Sequence, residues 1–265
     1  DTLFQLLSDR MYGGFTPGML CSLHTWGRNL SFHPHLHCLI SAGGLTGGAA
    51  WAWARKPDLL PYRVVRALYR GKMSAAVRRT LQAGQLKLPP SLPAFRLENT
   101  LDRLGRASWN VEIREQYSHG DGVLTYLARY VRGGPISNSR ILSASATSVT
   151  FRYLDHRDGS TKEMVLSPES FLLRVLQHVP PERKKIVRYY GLYAEHQIES
   201  LNTARQALGQ EEVAPPEFMT WEEFWQDTEE ELPNLCPVCK RPLVPVRRLR
   251  CLHRSRRKTV IGRAA

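Results

Sequence analysis

Two apolar runs of strand-like composition lie close together near the start of the chain and limit what it can fold into. The runs are residues 19–26 (Met-Leu-Cys-Ser-Leu-His-Thr-Trp) and 35–41 (His-Leu-His-Cys-Leu-Ile-Ser), joined by a short polar connection at Gly27-Arg28-Asn29. A parallel pair needs a crossover of a dozen or more residues, so the two runs predict an antiparallel strand pair.

The remaining elements are mixed and do not follow a repeating β-α-β order, which predicts an α+β fold. Helices are expected near residues 1–9, 62–83, 121–132, 168–178 and 182–206. Strands are expected near 109–113, 140–144, 147–154 and 161–166. Residues 43–61 hold two Gly-Gly pairs and two prolines, and this composition predicts a loop.

The charge of the chain points to a polyanionic partner. Lys and Arg number 37 and Asp and Glu 24, a net charge of +13. Between Arg205 and Lys240 there are nine acids and no base, so the rest of the chain carries +22, or 37 minus 15. A basic surface that contacts nucleic acid explains this excess better than solubility alone. No run is apolar enough for a membrane span, and the five cysteines fit a reducing cytosol.

A histidine cluster follows the connection between the two predicted strands. Residues two apart on a strand face the same side, so His35 and His37 can both reach one divalent ion, whereas Leu36 is expected to point into the core. His24 on the preceding strand is the candidate third ligand. The alternatives are that the pair is ordinary polar surface and that His24 only packs against the hairpin.

A tyrosine pair lies on the predicted helix at 121–132. At 100° per residue, Tyr126 and Tyr130 share one edge of an apolar stripe. Arg129 and Arg132 face away from this stripe and are expected to contact DNA. The stripe comprises Val123, Leu124, Leu127 and Val131. The tyrosines alone would be read as aromatics at the edge of the core. Beside a metal-polarised phosphate, however, a phenol is a competent nucleophile for phosphodiester transfer.

The order of these motifs resembles the HUH superfamily of single-strand DNA nucleases, and more closely the two-tyrosine, insertion-sequence-91-like transposases of rolling-circle elements. The resemblance covers about residues 1–205. It rests on Leu23-His24-Thr25-Trp26-Gly27, Asn29-Leu30-Ser31-Phe32-His33-Pro34-His35-Leu36-His37-Cys38, Tyr126-Leu127-Ala128-Arg129-Tyr130 and Pro135-Ile136-Ser137-Asn138.

This resemblance implies a ferredoxin-like antiparallel sheet with packed helices and a bacterial, cytoplasmic protein. It implies that single-stranded DNA is cleaved and rejoined through 5′-phosphotyrosine links, with His35 and His37 as ligands of Mg²⁺ or Mn²⁺ and Tyr126 and Tyr130 as nucleophiles. Relatives tend to carry a cysteine-rich module ahead of this domain. None is present here, so we expect an N-terminally truncated chain.

The last part of the chain predicts a separate basic module. We divide the chain into a catalytic domain at 1–205, an acidic linker with a short helix at 206–232, and a tail at 233–265. The tail has ten Lys or Arg, among them Arg247, Arg248 and Arg250, which are expected to contact DNA phosphates. Four of its residues have soft ligand atoms and predict a structural Zn²⁺ site: Cys236, Cys239, Cys251 and His253.

Two other functions share these features. A plasmid or phage replication initiator or relaxase would use the same chemistry, and a truncated element could encode a catalytically inactive DNA-binding remnant. A covalent protein–DNA adduct distinguishes the enzymes from the remnant.

Overall fold

A computed structural model of the chain describes residues 1–56, 58–114, 116–117, 120–131, 133–155 and 157–215, together with the single residues 220, 223, 236, 238 and 241. The chain divides into two units, Asp1–Ala214 and Pro215–Ala265. All the helices and strands described below belong to the first unit. None of the described helices is both long enough and apolar enough to cross a membrane.

The first unit is an α+β fold in which every strand pair is antiparallel. The elements in chain order are α1 (Thr2–Leu7), β1 (Thr16–Trp26), β2 (Phe32–Leu45), β3 (Trp51–Trp53), α2 (Tyr62–Gln82), α3 (Ala94–Arg106), α4 (Gly120–Tyr130), β4 (Ile141–Ala144), β5 (Val149–Leu154), β6 (Thr161–Leu166), α5 (Pro168–Leu176), β7 (Val187–Gly191) and α6 (Ile198–Ala207). Short 3₁₀ turns precede β4 and α6.

The larger sheet is built around the predicted strand pair, in the order β3-β2-β1-β7. In the register of β1 and β2, His24 lies opposite His35, and Cys21 lies opposite Cys38. Paired residues of an antiparallel ladder point to the same face. This register therefore places His24 on the same face as His35.

The principal core lies where α1 and α2 meet this sheet. Its buried residues are Leu6, Leu7, Phe15, Leu60 and Val65. Leu7 is fully buried and Phe15 is 2% exposed, so truncation of Phe15 to Ala should cost about 3–5 kcal/mol.

A second sheet, in the order β4-β5-β6, lies between α4 and α5 in the chain. Phe151 on its central strand is fully buried and contacts Phe171 of α5 at a ring-centroid distance of 5.8 Å. The helix begins as the sequence indicates, since the Ser167 side chain accepts a hydrogen bond from the Ser170 amide and Pro168 follows the cap.

Residues 109–113 were expected to form a strand, and this prediction is wrong: the segment forms no ladder. The Trp109 indole N–H donates instead to the Leu104 carbonyl at 3.1 Å, and its ring packs edge-on against Tyr69 of α2. Side-chain contacts to two helices thus hold a segment whose alternating pattern indicated strand pairing.

The predicted helix at 182–206 is also wrong in its first half, because residues 187–191 form β7 against the free edge of β1. Val187, Tyr189 and Tyr190 favour a strand once such an edge is available. Only the second half is helical, as α6.

The predicted loop at 43–61 contains the end of β2 and all of β3. A Cβ atom at Gly43 would meet the Ala52 carbonyl oxygen, so this glycine permits the close approach of the two strands. Of the two Gly-Gly pairs that suggested a loop, Gly43-Gly44 is therefore part of the sheet, and Gly47-Gly48 lies in the turn between β2 and β3.

Candidate metal and nucleophile site

Three histidines converge on one face of the β1–β2 pair. One ligand nitrogen from each of His24, His35 and His37 lies within 4.8 Å of the others, and no other such group of three or more His, Cys, Asp or Glu occurs among the described residues. The ring centroids of His24 and His37 are 4.5 Å apart, and those of His35 and His37 are 4.9 Å apart. Neutral imidazoles in this arrangement can share a divalent ion.

Hydrogen bonds to backbone carbonyls fix the tautomers of two of these rings. Because a carbonyl only accepts, Nε2 of His24 donates to the Tyr130 carbonyl at 2.7 Å, and Nδ1 of His35 donates to the His33 carbonyl at 2.8 Å. The other nitrogen of each ring keeps its lone pair. Metal-binding histidines usually have such a second bond, so this arrangement fits a metal site.

Burial favours the neutral form of two of the three rings. It lowers the pKa of His37 to about 4, helped by the charges of His24, His35 and Arg114. Burial also lowers the pKa of His24, against the opposing effect of its bond to the Tyr130 carbonyl. Neutral imidazole is the form that binds a metal ion, so both rings are ready to ligate at neutral pH.

The tyrosine helix α4 lies directly against the histidines. The Tyr130 ring stacks on His37 at a centroid distance of 4.1 Å, and Tyr126 lies 6.5 Å from His37 and 4.7 Å from Tyr130. Burial raises the pKa of Tyr126 above its usual value, so its phenol is protonated at neutral pH. The structure thus brings together five side chains from two distant parts of the sequence.

Two leucines of α4 and β2 that were expected to point into the core are exposed. Leu124 was expected within a core-facing stripe and is 64% exposed, and Leu36 was expected in the core and is 48% exposed. None of the residues of α4 is buried. The two phenol rings contact His37, and of the apolar stripe only Leu124 is exposed, whereas Val123, Leu127 and Val131 are half-buried like the tyrosines.

Residues that the sequence analysis did not single out support the site. The Trp26 indole stacks on His24 at 4.3 Å. His178, just after α5, is 5% exposed; its Nε2 donates to the Leu30 carbonyl at 3.2 Å, and its Nδ1 accepts from the Thr25 hydroxyl at 3.1 Å. His178 lies more than 140 residues from its partners, and no local pattern indicates such a contact.

The turn between β1 and β2, which contains Leu30, is also held by two further residues in and just after α5. Gln177 donates to the Leu30 carbonyl at 3.1 Å, and Arg174 donates to the Asn29 carbonyl at 3.3 Å. Leu30 itself is fully buried with a φ of 62°. These contacts fix the turn that joins His24 to His35.

The expected DNA-binding and zinc residues are only partly described. Arg129 is exposed on α4, as expected for a residue facing away from the sheet, and Cys236 is half-buried. The others lie outside the described residues: Arg132, Cys239, Arg247, Arg248, Arg250, Cys251 and His253.

Comparison with known proteins gives one family and two relatives. Residues 18–200 match a family model described as "Putative transposase". The chain is 33% identical over 250 residues to "Putative transposase y4qJ" of Sinorhizobium fredii, covering 90% of this chain and 63% of the relative. It is 31% identical over 207 residues to the transposase for insertion sequence element IS801 of Pseudomonas savastanoi pv. phaseolicola, covering 73% of this chain and 48% of the relative.

The chain spans less than two thirds of the length of either relative. No solved structure gives a significant match. The region matched by the family contains all three clustered histidines and both tyrosines, whereas the cysteine-rich tail lies beyond it.

Proposed function

We propose that this chain, which belongs to the HUH-type, insertion-sequence-91-like transposase family, cleaves and rejoins single-stranded DNA through 5′-phosphotyrosine links. The observation that carries the proposal is the contact of α4 with the histidine cluster. The Tyr130 ring stacks on His37 with the ring centroids 4.1 Å apart, and the Tyr130 carbonyl accepts a hydrogen bond from His24 Nε2 at 2.7 Å. One residue of the helix therefore meets two of the proposed ligands.

His24, His35 and His37 would hold the metal ion, which we propose to be Mg²⁺ or Mn²⁺. A bound divalent cation supplies polarisation of the scissile phosphate and stabilises the charge that develops on it. Of the two ions, Mn²⁺ suits a set of three imidazole donors better, since Mg²⁺ strongly prefers oxygen ligands.

Tyr126 and Tyr130 would be the nucleophiles. The phenolic oxygen forms a bond to phosphorus and gives up its proton, while the bond from phosphorus to the 3′ oxygen breaks and that oxygen takes up a proton as a 3′-hydroxyl. The DNA 5′ end remains on the tyrosine, and the energy of the phosphodiester is conserved for rejoining. Transposition requires two strand transfers, and the 4.7 Å spacing of the two rings allows one phenol to hold an end while the other attacks.

We also propose that the larger sheet and its helices form the ferredoxin-like core of the family and that residues 1–205 form the catalytic domain. The antiparallel order of the sheet and the location of the histidines on one face support this assignment. The linker at 206–232 and the tail at 233–265 would be separate segments.

An adduct experiment tests the function. The full chain is incubated with labelled single-stranded oligonucleotides that cover the DNA flanking its gene, with Mn²⁺, Mg²⁺ or a chelator. We expect a covalent complex that requires metal, with the DNA attached by its 5′ phosphate to Tyr126 or Tyr130 in peptide mass mapping. Attachment to another residue, or the absence of any adduct with every oligonucleotide, would refute the proposal.

We propose a structural Zn²⁺ for the tail, held by Cys236, Cys239, Cys251 and His253, on the basis of their spacing in the sequence. Metal analysis of the full chain carrying His35→Ala and His37→Ala isolates this site from the histidine cluster. We expect one zinc per chain, lost when Cys236 and Cys239 are also changed to Ser. Zinc retained after both substitutions would show that the cysteines do not bind it.

A further inference from the structure

A basic cleft lies beside the turn that joins β1 to β2, at its junction with the second sheet. It has a volume of about 220 Å³ and is lined by Arg28, Arg140, Arg152, Tyr153, Leu154 and Thr161. Arg28 follows His24 by four residues, so the chain places the two at most roughly 15 Å apart. The cleft therefore belongs to the surroundings of the histidine cluster, although none of its residues is part of that cluster.

Arg140 holds the cleft together through backbone carbonyls. Its Nε donates to the Arg152 carbonyl at 2.9 Å, and its terminal nitrogens donate to the carbonyls of Arg28 and Pro135. Arg152 in turn donates to the Ser139 carbonyl at 3.1 Å. Each guanidinium has five N–H donors, so Arg140 has two left and Arg152 has four.

These two guanidinium charges are not neutralised by acids of the protein. Among the described residues, neither Arg140 nor Arg152 forms an ion pair. The acids nearest in sequence, Asp155 and Asp158, both pair with Lys162. Within the described part of the chain, Arg140 and Arg152 therefore bring positive charge to the cleft that no acid pairs with.

The positive charges of Arg28 and Arg140 repel each other, which the pKa of Arg140 reflects. Burial and the charge of Arg28 both lower the pKa of Arg140. An anion bound in the cleft would relieve this repulsion between like charges.

We propose that this cleft binds the phosphodiester backbone of single-stranded DNA beside the cleavage site, with Arg28 and Arg152 contacting phosphate oxygens and the Tyr153 ring stacking on a base. The inference rests on the proposed function, because it takes DNA as the substrate. Guanidinium groups recognise phosphate in a fork geometry, and an aromatic ring among them is the arrangement with which proteins bind single strands irrespective of sequence. Arg140 is a positioning residue that fixes the turn against the sheet.

Salt-dependent binding tests the cleft without requiring cleavage. The dissociation constant of the full chain for a labelled single-stranded oligonucleotide is measured by fluorescence anisotropy over a range of salt concentrations. The variant combines Arg28→Gln and Arg152→Gln, which both remove charge, and Arg152→Gln keeps an amide donor for the Ser139 carbonyl. Arg157→Gln is the control, since Arg157 lies in the β5–β6 turn, outside the cleft, with its side chain 92% exposed.

We expect the slope of log affinity against log salt to become shallower by about 1.4, roughly 0.7 for each lost phosphate contact. The control should change it by less than half as much, and Arg152→Lys should keep the wild-type slope. A double variant that matches the control overturns the proposal. The proposal is also overturned if Arg152→Lys makes the slope as shallow as the double variant does, because the charge is kept in Arg152→Lys and the change would then indicate misfolding.

The adduct assay separates this inference from the proposed function. If the wild type forms the tyrosine adduct and the double variant binds with an unchanged slope, the cleft is wrong and the function stands. If the wild type forms no adduct but the double variant loses the slope, the cleft binds DNA and the function is wrong.

Discussion

The two halves of the site are held in very different ways. The histidines lie on long strands with a fixed register, and the turn between those strands accepts hydrogen bonds from Arg174, Gln177 and His178. Helix α4 buries none of its residues and contacts the histidines through two tyrosine rings and one carbonyl. The free energy of local opening should therefore be far lower for α4 than for the strand pair.

This difference suits the two tasks of the proposed strand transfer. Metal ligands need a rigid framework, because coordination tolerates little displacement. A nucleophile that carries a covalently attached DNA end gains from a helix that can be displaced without unfolding the sheet. The predictions below test each half of this comparison.

The largest effect is expected for the rigid half. Replacing both His35 and His37 by Ala should slow adduct formation at least about a thousandfold, because several kcal/mol of metal catalysis are lost. Affinity for single-stranded DNA should change little, since it rests on basic residues. His33→Ala is the matched control: it lies in the same run and keeps the carbonyl that orients His35. Unchanged cleavage by the double variant would refute the metal site.

The tyrosine helix should respond in two stages. Tyr126→Phe and Tyr130→Phe remove a nucleophile but keep the ring, so each alone should retain some adduct formation and lose complete strand transfer. The double variant should form no adduct. Tyr62→Phe, at an exposed tyrosine of α2, is the control for adduct formation. If Tyr130→Phe transposes normally and only Tyr126 is ever labelled, then Tyr130 is a packing residue.

A smaller effect is expected from the anchor of the strand turn. His178→Ala leaves the Thr25 hydroxyl without its His178 partner and removes one of the two donors to the Leu30 carbonyl, which should lower the free energy of unfolding by about 1–3 kcal/mol. Urea denaturation measures this change, and the exposed His196→Ala is the control. A loss no greater than that of the control would show that the anchor does not stabilise the turn.

The smallest effect is a dependence of the free energy of unfolding on pH, which has opposite signs for the histidine strands and the tyrosine helix. In the metal-free protein, His24 and His37 have folded pKa values below the ordinary value of 6.5, so the stability they contribute is present above pH 6.5 and is lost as the pH falls below it, for His37 down to its folded pKa of about 4. Tyr126 has a raised pKa, so its contribution is lost as the pH rises above its ordinary value of 10.

Urea titrations across these ranges test the assignment. His37→Gln should flatten the acid limb, and Tyr126→Phe should flatten the alkaline limb. An acid limb that is unaffected by His37→Gln would mean that other groups cause the loss of stability.

Local sequence was sufficient for most elements near the site. The strand pair, the tyrosine helix and the hairpin at 149–166 were predicted from alternation, helical periodicity and turn residues, and each forms within a few residues of its expected bounds. The exceptions are segments whose structure depends on a distant partner. Trp109 and Val187 follow patterns that fit more than one element, and the neighbouring α2, α3 and β1 decide between them.

The sequence by itself determined which residues could carry chemistry: two histidines on one strand face and two tyrosines one helical turn apart, because the 2.0 and 3.6 periods of strand and helix are local properties of the backbone. Only the tertiary structure brought Tyr130 onto His37 and His24, directed His178 to the turn at Leu30, and joined Arg28 to Arg140 and Arg152 in one cleft. These contacts span from 12 to almost 150 residues of sequence. They depend on how whole elements pack, and no local pattern encodes that packing.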